Sequence, residues 1–270
     1  MRARLELVKA AFQARAAYRM DVLLRLLSRV IALFARVAIW SALFGKAREA
    51  ASPVGVISLH EMVTYVVVST GVSIFVLSFA AHGPLQKLRL RIRSGAIETD
   101  LIKPLGLKTI LFWENIGSNL FEMFFVLIPL VVIGVLVFRM DLPSWQDLML
   151  FGIALVNGLI VYFLLSYTVG LLAFWYLEIW HLERFLEELL RLFSGSSIPL
   201  WFFPPFLVKL SAFLPFRLVY FVPITIYLGR MELSEAVGAI LQQVAWIGVL
   251  FAVERVVWAA AVKRLVIQGG

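Results

Sequence analysis

Apolar runs of about twenty residues recur along this chain, separated by short charged stretches, the signature of a polypeptide that crosses a bilayer several times. The opening stretch, 1–21, has helical spacing: Leu5, Val8, Phe12 and Ala16 share one face while Arg4, Arg15 and Arg19 lie off it. It predicts an amphipathic helix lying on a membrane surface. Spans are predicted over 22–44, 61–81, 112–138, 148–172, 189–206 and 237–262. A polar loop with Pro53 and Gly55 joins the first two, and a short turn with Asp141, Pro143 and Asp147 joins the third and fourth. From Trp175 to Arg191 the pattern is a charged helix, in which the like pair Glu183–Glu187 is offset by Arg184–Glu188 and Glu187–Arg191 at the same spacing. Gly195 and Pro199 interrupt the fifth run, and Pro204-Pro205 closes it. Residues 207–230 are apolar, but Pro215, Pro223 and Gly229 cut them into pieces too short to cross, which predicts a re-entrant or interfacial hairpin. The expected fold is thus a single all-α integral membrane domain over 1–270 with six spans.

Composition agrees. Of 270 residues 62% are apolar and 16% charged, with mean hydropathy +0.93, against about half and about a quarter in a soluble domain. Without cysteine there is neither a disulfide framework nor a thiolate metal site. Neither GxxxxGK[ST] nor GxGxxG occurs, so nucleotide chemistry is not expected on this chain. The net charge of +8 fits basic membrane loops and anionic headgroups, and no nucleic-acid partner is expected. Charges from Arg2 to Arg19 interrupt any cleavable signal pattern. Six spans put both termini on one side, with roughly fifteen Lys and Arg there against about six opposite, which places both termini in the cytoplasm.

The densest basic island, Gln86 to Leu105, lies between the second and third spans. Gly95 permits positive φ or close backbone approach, and Pro104 stops a helix. Between them, Ala96-Ile97-Glu98-Thr99-Asp100-Leu101-Ile102 makes about two turns of mixed polarity. Two readings are open: a short helix that transmits force to a soluble subunit, or a basic loop that binds headgroups.

The sequence Arg93-Ser94-Gly95-Ala96-Ile97-Glu98-Thr99-Asp100-Leu101-Ile102-Lys103-Pro104-Leu105 resembles the segment after the second span in permeases of type-2 ABC exporters. There a basic run, a Gly and an acidic-Leu-x-Lys-Pro element precede the third span. Further motifs carry the same resemblance: Phe12-Gln13-Ala14 with Tyr18-Arg19-Met20-Asp21; Ser194-Gly195, Ile198-Pro199-Leu200 and Phe203-Pro204; Leu214-Pro215-Phe216, Tyr220, Pro223 and Tyr227-Leu228-Gly229; and Gln268-Gly269-Gly270. The resemblance covers nearly the whole chain and is strongest to small bacterial ABC-2-like permeases. It implies a half-transporter of the bacterial cytoplasmic (inner) membrane, with a second permease chain, identical or different, as partner. Separate ABC ATPase subunits would carry ATP and Mg. Residues 83–108 would be the coupling segment, docking the ATPase through Arg93, Gly95, Ile97, Glu98, Asp100, Leu101, Lys103 and Pro104. The expected function is export of a hydrophobic or amphipathic drug, peptide or lipid. The alternatives are a non-ATPase carrier or a membrane assembly scaffold, although the internal repeats usual in carriers are absent.

Two further constellations stand out. Arg25, Arg29 and Arg36 line one face of the first span. Charge at that depth faces protein or water, and Glu122 and Glu254 are the candidate partners, better matched in depth to Arg25 or Arg29 than to Arg36. Three readings are open: Arg25 and Arg29 snorkel to the nearby cytoplasmic interface, the set forms interhelical ion pairs, or it makes a cationic pathway wall for an anionic group such as a lipid phosphate. Aromatic residues crowd both ends: Trp175, Tyr176 and Trp180 at one, and Trp201, Phe202, Phe203 and Phe206 at the other. Interfacial belts account for such clusters. The other reading is an extracytoplasmic gate built from Pro199, Trp201, Phe203, Pro204, Pro215, Phe216, Tyr220 and Pro223. His60, His82 and His181 lack metal-ligand spacing, and Ser166, Ser194 and Ser197 lack a nearby His on a shared face, so no catalytic or metal site is expected.

Overall fold

A computed structural model describes residues 2–16, 19–45, 49–52, 55–81, 84–176 and 178–268. Of the residues named above, Tyr18, Pro53, His82, Gly269 and Gly270 lie outside this set, as do the side chains of Arg2, Arg19, Asp21, Leu101 and Gln268. The helices are α1 (Arg2–Ala16), α2 (Arg19–Phe44), α3 (Leu59–Ala81), α4 (Pro84–Arg93), α5 (Ile97–Leu101), α6 (Leu107–Glu122), α7 (Ile128–Leu136), α8 (Trp145–Leu171), α9 (Trp180–Phe193), α10 (Pro205–Phe213), α11 (Phe221–Tyr227) and α12 (Leu233–Gln268). In place of the expected polar loop, β1 (Glu49–Ser52) and β2 (Gly55–Ser58) form an antiparallel hairpin with Glu49 opposite Ser58. Four helical stretches are long and apolar enough to cross a membrane: Leu59–Val76, Leu107–Leu136, Trp145–Phe174 and Leu233–Arg264. The bent pair α10 and α11 makes a fifth if taken together.

Local chemistry sets these boundaries. Ser144 caps α8, its Oγ accepting from the Asp147 backbone N–H at 3.1 Å. The third span begins at Leu107 rather than 112, because the chain after Pro104 and Gly106 becomes helical at once. Within it, Pro129 cannot donate to the carbonyl of Phe125, and a π-turn over Met123–Leu127 absorbs the interruption before α7 continues.

The predicted fifth span over 189–206 is corrected: no helix runs through it. α9 ends at Phe193, Gly195 adopts φ +76°, and Pro199 leads into a single 3₁₀ turn, Leu200–Phe202. Side chains from α3 satisfy the freed carbonyls. Tyr65 Oη donates to Gly195 O at 2.6 Å, and Ser69 Oγ donates to Ser196 O at 2.7 Å. Tyr65→Phe removes that donor and leaves a buried carbonyl unpaired, so it is expected to cost about 1–3 kcal/mol in thermal unfolding.

α10 and α11 meet at 82° across Leu214-Pro215. Their junction packs on α8, where a Cβ on Gly158 would lie 2.9 Å from Leu218 O and 3.2 Å from Val219 Cα. Gly158 is the central residue of α8, so the tip of this V reaches halfway along that crossing. α8 is the hub of the core and packs against α3, α4, α11 and α12.

α1 is not free on one side. Arg4 sits over Trp113 at 5.9 Å, a Cβ on Gly117 would meet Val8 O at 2.3 Å, and the rings of Phe12 and Phe121 lie 5.3 Å apart. Each contact advances four residues on both helices, so α1 runs parallel to α6 in close register. Val8 and Phe12 of the apolar face that predicts a surface helix are taken up by another helix of the protein, while Leu5 stays 59% exposed.

Candidate functional site

The basic island folds into a braced platform. α4 buries Leu85 and Leu88 against α8 so closely that a Cβ on Gly170 would lie 2.9 Å from Leu85 Cα. Its charged side chains then reach neighbouring elements. Lys87 Nζ meets Glu114 at 2.7 Å, and Arg91 meets Glu114 at 2.9 Å and Asp100 at 3.1 Å. Lys103 reaches Asp100 at 2.6 Å. Gln86 donates to Glu183 on α9, with Arg89 3.9 Å from the same carboxylate. Arg93 pairs with Glu178 at 3.3 Å on the exposed rim. Burial holds the Lys87 ammonium below the usual lysine range, with Glu114 opposing the shift. Burial likewise pushes the Glu183 carboxyl up, against the hydrogen bond from Gln86 and the charge of Arg89.

This bracing sorts the residues of the segment. Gly95, at φ +74°, turns the chain from α4 into α5. Ile97 (4% exposed) and Asp100 (5%) face inward, Ile97 into the core and Asp100 onto Arg91 and Lys103, so they shape the platform from beneath. Arg93, Gly95, Glu98, Lys103 and Pro104 are exposed. Between them stands Ile102, 84% exposed, a residue absent from the sequence-derived set. The signal was present: an isolated isoleucine among Asp, Leu, Lys and Pro just before a helix stop.

The α2 arginines divide. Arg25 pairs with Glu122 at 3.4 Å. Arg29 Nη1 donates to Ser73 Oγ at 3.5 Å. Arg36, about two turns further along α2, is half-buried. The expected pairing of Glu254 with α2 is corrected. Glu254 (2% exposed) is held by Lys108 at 2.6 Å, tying the foot of α6 to α12. Starting the third span at 112 leaves Lys108 in a loop, and this hides the partner.

The proline and aromatic set also separates into two groups. Trp201, preceded by Pro199 and its turn, packs between Tyr65 (5.5 Å) and Phe221 (5.6 Å) with Arg230 5.9 Å above it. Glu61 binds Arg230 through both carboxylate oxygens, one at 2.6 Å, and Arg230 also donates to Val56 O at 3.0 Å. Trp201, Phe203, Lys209, Phe221, Arg230 and Glu235 line a cavity of about 440 Å³, with Pro204 and Pro205 opening α10 at its edge. Pro215, Phe216 and Tyr220 lie at the far end of the V, where Phe216 stacks on Phe193 at 6.4 Å. Pro223 is buried within α11 between the two groups. No cluster suited to a metal ion occurs among the described residues.

Comparison with curated proteins gives no match. The family described as ABC-2 family transporter protein matches residues 30–269. Its members are transport membrane subunits, not themselves ATPases, that associate with ABC ATPase subunits. With crossing helices and a matched region that covers most of its length, this multi-pass membrane protein belongs to the ABC-2 family as the permease of an ABC transporter.

Proposed function

We propose that the chain is half of an ATP-driven exporter, that α2 and the α9–α11 region complete six passes, and that α5 with its flanks is the handle through which the ATPase moves them. At 26 residues α2 is about 39 Å long, enough to cross. Arg25 and Arg29 are tolerated because they face Glu122 and Ser73 rather than lipid. ATP and Mg belong to the partner ATPase, and a second permease chain completes the pathway. Both termini and the handle lie on the cytoplasmic side of a bacterial inner membrane, an orientation that the distribution of basic residues supports. The cargo is hydrophobic or amphipathic, a drug, peptide or lipid. Arg29, Arg36 and Tyr220 form a cationic wall for its anionic group, and the cavity beside Trp201 and Phe203 is its outer gate.

The observation that carries this reading is the platform. Displacing α5 pulls on α4 through Arg91–Asp100, and α4 in turn pulls on α6 through Glu114 and on α9 through Glu183. Push on the exposed tip is thereby distributed to three elements at once. Co-purification with the ATPase tests it. Glu98→Ala, Ile102→Asp and Lys103→Ala together are expected to lower association at least tenfold and to abolish permease-stimulated ATP hydrolysis, without moving the unfolding temperature. Unchanged association and stimulation would remove the docking role, and labelling of a cysteine at position 95 from outside the cell would invert the topology.

A further inference from the structure

α12 carries an exposed stripe at alternating three- and four-residue spacing: Leu241, Val244, Gly248, Phe251 and Arg255. Residues so spaced share one helix face. A Cβ on Gly248 would meet nothing within 4 Å, so the middle of the stripe is open. The stripe ends on cations. Arg255 Cζ lies 5.3 Å from the centre of the Phe251 ring, and Lys108 Nζ lies 4.1 Å from the same centre. Lys108 is held at 2.6 Å by the buried Glu254, so that carboxylate is already matched. Among the described residues no carboxylate pairs with Arg255. The next charged residues along α12, Lys263 and Arg264, are also basic and exposed. Two contacts fix the depth of the stripe. Gln243 donates to Ala154 O at 2.8 Å, close to the middle of α8, so the Leu241 end lies near the centre of the bilayer. Lys108 is the second residue of α6, where a crossing begins, so the Arg255 end lies at the membrane surface. From Leu241 to Phe251 the helix rises about 15 Å, about the hydrocarbon depth of one leaflet.

We propose that this stripe seats an anionic phospholipid, its phosphate on Arg255 with Lys108 beside it and an acyl chain along Phe251, Gly248, Val244 and Leu241. A guanidinium suits a phosphate diester because its fork donates to two oxygens at once. The unanswered positive charge selects a headgroup that brings no cation of its own. The ammonium of phosphatidylcholine or phosphatidylethanolamine would be drawn toward Arg255 and Lys108 and repelled by them. A second copy of this chain is the poorer occupant. Two such stripes related by a two-fold axis along the membrane normal would set Arg255 against Arg255 at the same depth. The site lies on the lipid-facing surface of α12 and does not depend on the export reading.

The test uses the full-length protein in nanodiscs of phosphatidylcholine. The probes, added in trace amounts, are a phosphatidylglycerol and a phosphatidylcholine that carry a photo-crosslinking diazirine at the end of the same acyl chain. The measurement is labelling of α12 between Leu241 and Phe251. Phosphatidylglycerol is expected to label this segment about tenfold more than phosphatidylcholine, the discrimination one charge-assisted hydrogen bond provides. Arg255→Gln should bring the two probes level, and Arg255→Lys should keep part of the preference. Excess inorganic phosphate should not compete, because it has no chain to lie along the stripe. Equal labelling by the two probes in the unmodified protein overturns the proposal, as does a preference that survives Arg255→Gln or is abolished by inorganic phosphate. Efficient disulfide-linked dimers of Val244→Cys would overturn it too, by placing a second copy on the stripe. The probe comparison requires no variant, so it decides the matter even where a substitution impairs folding.

Discussion

Glu114→Ala is expected to produce the largest loss of stability of any single charge removal on the platform. Glu114 accepts from both Lys87 and Arg91, and the three side chains are only 18–23% exposed. Removing the carboxylate leaves two cations packed together, with Asp100 alone to answer Arg91. Truncating one member of a buried pair typically costs 3–5 kcal/mol, and partial exposure puts this case near the low end, about 3 kcal/mol. The loss should be visible as a lowered thermal midpoint in detergent. ATPase stimulation should fall further than stability does, because α4 and α5 lose their tie to α6. Converting Lys87 to Met together with Glu114 to Leu should recover much of the stability by exchanging an ion pair for packed apolar volume. It should not recover stimulation, since Arg91 still lacks its bond to α6. Recovery of both would mean that the ion pairs serve only folding.

Gly117→Val should detach α1 from α6. Even a Cβ at this position would lie 2.3 Å from Val8 O and 2.9 Å from Ala11 Cβ, and a backbone oxygen cannot rotate away. Ordinary overpacking costs about 1–3 kcal/mol. Here the cheaper response is separation of the helices. The chain contains no cysteine, which makes the test clean. Cysteines introduced at Phe12 and Phe121, whose rings lie 5.3 Å apart, should crosslink efficiently in an otherwise unchanged chain and at least tenfold less beside Gly117→Val. Undiminished crosslinking would show that α1 holds its place without this contact.

The two predictions concern regions that differ in how far the sequence anticipates them. The basic island is conspicuous in the one-dimensional pattern, and Gly95 and Pro104 mark its turn and its stop. Whether a given side chain in it faces outward is not conspicuous. Ile97 and Ile102 are chemically identical and five residues apart, yet one is in the core and the other is 84% exposed. A five-residue helix is too short for periodicity to choose its buried face, and the choice falls to what lies beneath. The partner of Glu254 was hidden for a related reason. A boundary error of five residues at the start of α6 removes Lys108 from the helix that carries it to α12.

Membrane insertion, several of the crossings and the charged island between the second and third predicted spans follow from the sequence by itself. Each depends on free energies summed over local windows: transfer of apolar runs into lipid, and retention of Lys and Arg clusters at the surface. Only the tertiary structure decided that α1 lies along α6, that the run over 189–206 is bent rather than straight, that Arg25 rather than Arg29 pairs with Glu122, and that a cleft opens between α6 and α8. Those outcomes depend on the azimuth and depth at which helices meet. Gly117, Gly158 and Gly170 set that geometry by letting backbones approach within van der Waals contact, and hydropathy carries no information about which backbone will arrive there.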